Sequence, residues 1–155
     1  MATTVHVESE LPTHADDVWA ALQLPSTMAY VCRGVVGFPA VAGRSEPFHQ
    51  GERGTGWVRL FHVLPLHRHT IEVVELDEAS RTVRTQEQGG LLRSWRHTLH
   101  VVPIAATRCR YSDTVEIDAG AFTPLVAGFT RVLFGYRHRR WQRLVRSGKA
   151  GSATS

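Results

Sequence analysis

The chain contains only two cysteines and no long apolar run in its 155 residues, and both shortages narrow its class. Cys32 and Cys109 lie far apart and outside any CxxC spacing, so we expect reduced thiols and a cytoplasmic protein. No apolar stretch approaches the ~20 residues that cross a bilayer, and no signal-peptide pattern opens the chain. The sequence therefore predicts neither a secreted protein nor one with a stable membrane insertion.

Acidic residues are in the minority, with 18 Lys and Arg against 14 Asp and Glu and a net charge of +4. A basic excess is typical of nucleic-acid-binding domains. Much of this excess, however, lies in residues 137–149, where the solvated face of a terminal helix explains it. We therefore predict no nucleic-acid partner.

The periodicity of the chain predicts one domain at residues 1–146 and a flexible tail at residues 147–155. Residues 3–11 alternate as a strand does, and two short helices follow before residue 33. Residues 34–56 are rich in glycine and proline and predict an irregular segment with one weak strand near residues 45–49. A period of two then predicts five strands, at residues 56–64, 67–76, 82–88, 94–102 and 108–117.

A long helix closes the pattern, running from Thr123 and Pro124 to Arg146. One strand, two helices, six strands and a long helix predict an α+β fold, in which a curved seven-stranded antiparallel sheet surrounds the helix. One helix does not fill so wide a sheet, so we expect a cavity between them. The apolar stripe of the helix comprises Phe122, Val126, Phe129, Leu133 and Tyr136, and its first four residues are expected to line the cavity and contact the ligand.

The last two strands place ionisable residues among apolar ones. A three-residue loop at residues 104–106 would put His97 opposite Asp113 and Leu99 opposite Tyr111 on one face, which Trp95 shares. An ionisable pair is costly to bury unless its members satisfy each other. That face therefore predicts a cavity wall with a polar group in it.

Glu87 extends this pair, because a turn near Leu92 would place it opposite His97. Three roles remain open for the relay of Glu87, His97 and Asp113. It is a structural bond within the sheet, a contact to a ligand, or a catalytic group. In the catalytic version His97 is a general base, Asp113 orients it and Tyr111 donates a hydrogen bond.

The strand at residues 56–64 has two possible registers. If Trp57, Arg59 and Phe61 point inward, they contact the ligand, and Arg59 binds a carboxylate or pairs with Glu87. If the register shifts by one residue, Val58, Leu60 and His62 point inward and Arg59 is solvated. The pattern does not choose between them.

His67 and His69 have the spacing of two metal ligands on one strand face. No third ligand, HExxH pattern or cysteine set accompanies them. We therefore expect solvated strand histidines, no metal and no cofactor.

Several short motifs occur in a fixed order along the chain. They are Pro12 with Asp17-Val18-Trp19, then Leu64-Pro65-Leu66, Gly90 ahead of Trp95-Arg96-His97, the run Tyr111 to Val115, and Tyr136 to Arg140. With the element order, they resemble the START-like or SRPBCC superfamily of polyketide cyclases, lipid-transfer domains and the birch-pollen allergen, in a cyclase/dehydrase-like bacterial branch. Thr85, Glu87 and Leu91 depart from the residues common there.

The resemblance implies a helix-grip fold with an apolar pocket, and this fold includes both binders and enzymes. We expect the chain to bind a small hydrophobic or aromatic molecule, such as a polyketide, a lipid or an isoprenoid-like compound. The alternative is a cofactor-free polyketide aromatase/cyclase or dehydratase that uses His97, Asp113 and Tyr111. Partner-protein binding would need a large exposed apolar patch. A monomer or a homodimer is expected.

Overall fold

One antiparallel sheet and one long helix make up most of the structure, a computed structural model that describes residues 2–41, 43–61 and 64–149, with Leu64 and Pro65 by backbone only. Predicted residues 150–155 of the tail, and His62, lie outside the described residues. The strands are β1 Thr3–Leu11, β2 Val36–Gly37, β3 Arg53–Leu60, β4 Leu64–Asp77, β5 Thr82–Gly89, β6 Leu92–Ala105 and β7 Arg108–Asp118. The helices are α1 Ala15–Leu22, α2 Pro25–Cys32 and α3 Thr123–Arg146.

The seven strands lie in the order β1-β7-β6-β5-β4-β3-β2, and every neighbouring pair is antiparallel. From β3 to β7 each strand pairs with the next along the chain, as the short predicted connections require. β1 instead pairs with β7, so the first and last strands of the chain are neighbours. The sheet curls around α3, so the predicted α+β helix-grip fold is confirmed.

Two expectations about the middle of the chain are wrong. Residues 45–49 form no strand; the second strand is β2, where Val36 pairs with Leu60. The segment is held as a loop because Arg44 forms an ion pair with Glu52 and Phe48 N donates to Gln23 O at 2.9 Å. β4 begins at Leu64, three residues earlier than expected.

Helix α3 has the predicted bounds, but only part of the predicted apolar stripe, Leu133 with Val126, belongs to its buried face. Phe122 and Phe129 are 51% and 41% exposed, whereas Thr130, Arg137 and His138 are buried. The polar residues are buried because the sheet beneath them carries polar groups that need partners. Apolar packing continues around them, with Tyr111 and Trp141 ring centroids 5.1 Å apart. The best-formed core therefore lies under the second half of α3.

Glycines at positions 90 and 128 give opposite expected responses to alanine. Gly90 has φ +56°, and a Cβ there would come within 2.7 Å of His67 Cγ. Gly90→Ala is therefore expected to lower the free energy of unfolding by about 1–3 kcal/mol. Gly128, in α3 with no atom within 4 Å of an added Cβ, is the matched control. Gly128→Ala is expected to raise stability by about 0.5–1 kcal/mol, because alanine favours helix. Urea unfolding of both variants measures the contrast, and equal shifts would contradict it.

Candidate functional site

The register of β6 and β7 differs by two residues from the predicted one. His97 lies opposite Val115, and Asp113 lies opposite Leu99. The hairpin turn is shorter than expected, since Ala105 already pairs with Arg108, and a bulge follows Pro103. A shift of two keeps every side chain on its face, because strand side chains alternate. His97 and Asp113 therefore still meet, diagonally, with His97 Nε2 2.6 Å from Asp113 Oδ1.

Asp113 has no exposed surface and is the centre of a buried cluster of polar side chains. Besides His97, the Tyr111 hydroxyl donates to Oδ1 at 3.0 Å, and His138 Nε2 lies 2.9 Å from Oδ2. Ser9 Oγ, on β1, holds the other ring nitrogen of His138 at 2.7 Å. Both carboxylate oxygens are thus occupied.

Arg137, on α3, carries the positive charge that balances the Asp113 carboxylate. Burial alone would raise the pKa of Asp113, but the Arg137 guanidinium and the bonds from His138 and His97 hold that pKa well below its usual range. Burial, together with the Asp113 charge, raises the pKa of Tyr111 well above its ordinary value, so its hydroxyl remains a donor. Asp113 is therefore an ionised carboxylate inside the protein.

Glu87 forms a second centre on β5. It lies opposite Trp95 and not opposite His97 as predicted, since Thr85 occupies that place. Its Oε1 is nevertheless 3.9 Å from His97 Nδ1, and its carboxylate accepts from Thr85 Oγ1 at 2.7 Å. Burial raises the pKa of Glu87, but the hydrogen bond with His69 and the charge of His97 outweigh it and lower the pKa overall.

His67 and His69 belong to this network, so the expectation of solvated strand histidines is wrong. His69 is buried, with Nε2 2.7 Å from Glu87 Oε2, and its Nδ1 lies 3.0 Å from His67 Nε2. Both share the inner face, towards α3, because His67 lies opposite the buried Val58. The alternation of His67 and His69 with Ile71 and Val73 was the available signal. Within the described part of the chain, no cluster of three His, Cys, Asp or Glu residues has an arrangement that could hold a metal ion.

Arg137 and His138 are the site residues that the sequence did not reveal, because the basic end of α3 indicated a solvated face. Only 8% and 4% of their surfaces are exposed. The Arg137 guanidinium lies over the ring of Phe134, 4.8 Å from its centroid, and Arg137 Nε is buried without a hydrogen-bond acceptor among the described residues. Their spacing from Phe134 and Trp141, at three, four and seven residues, was the signal that placed them on one face.

The proposed contacts on β3 are not in the cavity wall. Trp57 is 50% exposed, Phe61 is 58% exposed, and Arg59 is solvated, whereas Val58 is buried. This is the second of the two registers left open, and a bulge after Val58 accompanies it. The inward-facing role expected of Trp57, Arg59 and Phe61 is therefore wrong.

The other expected lining residues lie in or against the apolar core between the sheet and α3. Leu99 and Leu133 are buried, Trp95 and Val126 are half-buried, and Trp95 Nε1 has no acceptor in the described structure. Trp95 also packs edge-on against Phe134, at 6.1 Å between ring centroids.

The C-terminal end of the predicted apolar stripe of α3 faces α2. The Tyr136 hydroxyl donates to Arg33 O, and the Arg140 guanidinium donates to Tyr30 O at 3.1 Å. At its N-terminal end the same stripe presents Phe122 and Phe129, which are half-exposed. The first half of α3 thus leaves an open apolar edge, formed by Phe122 and Phe129.

A depression of about 290 Å³ lies on the opposite side of the sheet. Its walls are mostly polar side chains that point away from α3, so it does not match the apolar pocket expected beneath the helix. The residues lining it are Val74, Arg84, Thr85, Gln86, Arg96, His97, Thr98, Thr114 and Glu116. None of the helices that the structure describes is long and apolar enough to cross a bilayer.

Solved structures share this fold at low sequence identity. Norcoclaurine synthase from Thalictrum flavum, in complex with dopamine and hydroxybenzaldehyde, has a TM-score of 0.69 and 18% identity over 95% of this chain and 88% of its own. A START superfamily protein from Mycobacterium smegmatis has a TM-score of 0.66 and 10% identity over 93% and 97%. The Zhui aromatase/cyclase from Streptomyces sp. R1128 has a TM-score of 0.63 and 16% identity over 97% and 94%.

No curated protein sequence matches the chain. A protein family does match it, over residues 9–145, and its description is a domain of unknown function, DUF8410. That span includes both carboxylate centres and nearly all of α3. The chain therefore belongs to the DUF8410 family, and its fold is the START-like helix-grip fold.

Proposed function

We propose that the protein binds a small hydrophobic or aromatic molecule, such as a polyketide, a lipid or an isoprenoid-like compound, between the sheet and the first half of α3. The observation that carries the proposal is the inversion of that helix: Phe122 and Phe129 are half-exposed, while Arg137 and His138 are buried. A soluble domain normally buries its phenylalanines first. Small-molecule sites are lined mainly by apolar side chains with a few polar groups, and these phenylalanines, with the apolar and polar residues under α3, offer that composition. A cytoplasmic location remains part of the proposal.

Unsatisfied donors support a ligand that carries oxygen. Trp95 Nε1 and Arg137 Nε are both buried without an acceptor among the described residues. A buried donor left unpaired costs about 1–3 kcal/mol. A carbonyl or hydroxyl oxygen of a bound molecule would remove that cost. The similar norcoclaurine synthase holds dopamine and hydroxybenzaldehyde, which are small oxygenated aromatics, and this supports the same ligand class.

The alternative is an aromatase/cyclase or dehydratase that uses His97 as a base. The 2.6 Å contact between His97 and Asp113 favours it, and the similar Zhui protein is an aromatase/cyclase. However, His97 Nε2 is already engaged by Asp113, and the His97 ring stacks on Phe134 at 5.1 Å. Those contacts favour a positioning role over proton transfer. His97→Gln separates the two, because a binder keeps most of its affinity whereas an enzyme loses turnover.

Native mass spectrometry of the purified protein is the first test, because a bound molecule would add its mass. Compounds found in this way are then assayed by thermal shift. A ligand at 100 times its Kd is expected to stabilise the protein by about 2.7 kcal/mol. The absence of any stabilising compound in a panel of hydroxylated aromatics, fatty acids and isoprenoids would contradict the proposal.

Phe129→Ala tests the location of the site. We expect it to raise the ligand Kd about tenfold, because it removes apolar contact area from the open edge. Val132→Ala is the matched control, since Val132 lies on the same helix, is 73% exposed and points away from the sheet. Titration calorimetry measures both Kd values. Equal losses in the two variants would place the ligand elsewhere.

A further inference from the structure

A row of hydrogen bonds ends at His67. Glu87, an ionised carboxylate, only accepts, so His69 Nε2 donates to it across 2.7 Å. When the His69 ring is neutral, its Nδ1 then carries no proton and accepts from His67 Nε2 at 3.0 Å. A neutral His67 has its one proton on Nε2, which leaves a lone pair on Nδ1. The direction of the row thus follows from its carboxylate end.

Burial lowers the pKa of His67, which favours the neutral ring that this direction of the row requires. No recorded hydrogen bond occupies its Nδ1 in the described part of the chain, and the side chain is half-buried. Its Nδ1 is therefore an acceptor without a hydrogen-bond partner among the described residues.

The turn between β5 and β6 fixes the orientation of this ring. A Cβ at Gly90 would lie 3.0 Å from His67 Nδ1, and one at Gly89 would lie 2.9 Å from Cδ2. The bare backbone of the two glycines thus packs directly against the imidazole. Because both flanks of the ring are occupied, by the glycines and by His69, rotation away from the row is restricted.

The same end of the sheet meets the open end of α3. Ser94, near the start of β6, pairs with Asp118, just before α3. A Cβ at Gly120 would lie 3.1 Å from the Arg93 guanidinium, so the residues preceding the helix pack on the start of β6. Phe122 and the Gly89–Gly90 turn over His67 are therefore at one end of the inner face.

We propose that His67 Nδ1 accepts a hydrogen bond from a weakly acidic hydroxyl, a phenol or an enol, of the molecule bound beneath α3. The inference rests on the proposed function and specifies its ligand class. An ether has no proton to donate, and a carboxylate has lost its proton at neutral pH, so neither satisfies this acceptor. The row of His67, His69 and Glu87 is a hydroxyl-recognition site, separate from the Asp113 cluster.

The test compares 2-naphthol with 2-methoxynaphthalene at pH 8, where the naphthol hydroxyl remains protonated. The two ligands differ only at the oxygen, where a methyl group in 2-methoxynaphthalene replaces the hydrogen that 2-naphthol would donate to His67. The wild-type protein is expected to bind 2-naphthol about tenfold more tightly, the upper range for one net hydrogen bond. His67→Phe is expected to make the two Kd values equal. Phe129→Ala is expected to raise both Kd values by the same factor, so that the preference for 2-naphthol remains. Fluorescence titration measures each Kd.

Each outcome separates the two proposals. If both ligands bind the wild type equally, or the preference survives His67→Phe, the hydroxyl site is overturned while the binding function stands. If neither naphthalene binds, the hydroxyl site is overturned, and the thermal-shift panel decides the binding function separately.

A measurement on the wild-type protein covers the case in which His67→Phe does not fold. Long-range proton–nitrogen correlation spectra distinguish the protonated from the unprotonated ring nitrogen of a histidine. We expect His67 Nδ1 to be unprotonated in the free protein and to shift on addition of 2-naphthol but not of 2-methoxynaphthalene. A protonated Nδ1 would overturn the proposal.

Discussion

Replacing Asp113 by alanine is expected to lower the free energy of unfolding by about 3–5 kcal/mol. The substitution removes a fully buried carboxylate that takes hydrogen bonds from His97, Tyr111 and His138. It also leaves the buried guanidinium of Arg137 without its main counter-charge, since Asp113 is the foremost charge raising the Arg137 pKa. A buried cation without a partner is one of the few single changes of this size. Urea unfolding followed by tryptophan fluorescence measures it.

Two variants make this result specific. Glu116→Ala removes an exposed carboxylate on the same strand, 3.7 Å from Arg96, and is expected to cost less than about 1 kcal/mol. The double variant with Asp113→Ala and Arg137→Met is expected to be more stable than Asp113→Ala alone, because it removes the orphaned charge. A double variant less stable than the single one would show that Asp113 acts through packing and not through charge.

Acid is expected to destabilise the protein steeply between about pH 5 and 3. The ordinary pKa values are 3.8 for the Asp113 side chain and 4.5 for that of Glu87, and the fold lowers both. A carboxyl whose folded pKa is lowered contributes stability above its unfolded pKa and loses it as the pH falls towards the folded value. Each such group changes the free energy of unfolding by up to about 1.4 kcal/mol per pH unit. The two groups together therefore give a slope of up to about 2.7 kcal/mol per pH unit.

Unfolding free energies from urea titrations at pH 3, 4, 5 and 6 give this slope. Asp113→Asn keeps the size and one acceptor oxygen of the side chain, and it removes one of the two titrating groups. It is expected to reduce the slope by about half. An unchanged slope in Asp113→Asn would mean that other carboxyls govern acid unfolding.

Much of the fold follows from local patterns in the sequence. The strands from β3 onward and the whole of α3 were predicted, since alternation and helical spacing act over a few residues, although β3 is Arg53–Leu60 and not residues 56–64. β2 was misplaced because it has only two residues and is defined by its partner, with Val36 on Leu60. Its position depends on a tertiary contact that no local pattern records.

The sequence predicted which strand residues form the site, but it did not predict the residues that α3 contributes. Glu87, His97, Tyr111 and Asp113 come together because strand alternation places them on one face. The exact partners shifted, since hairpin length and bulges set the register. Arg137 was missed because an arginine is buried only when its counter-charge is present, and Asp113 lies on another element. The rotation of α3 thus depends on the polar groups of the sheet.

The pairing of β1 with β7 has a consequence for biosynthesis. Thr3 lies beside Ile117, so β1 is synthesised well before its partner strand β7. Contacts of such high sequence separation form slowly. Until β7 and α3 emerge, Ser9 has no His138 to bind, and β1 has an unpaired edge that can join the edges of other nascent chains. We expect the yield of folded protein to be sensitive to translation rate and to chaperones that shield β1.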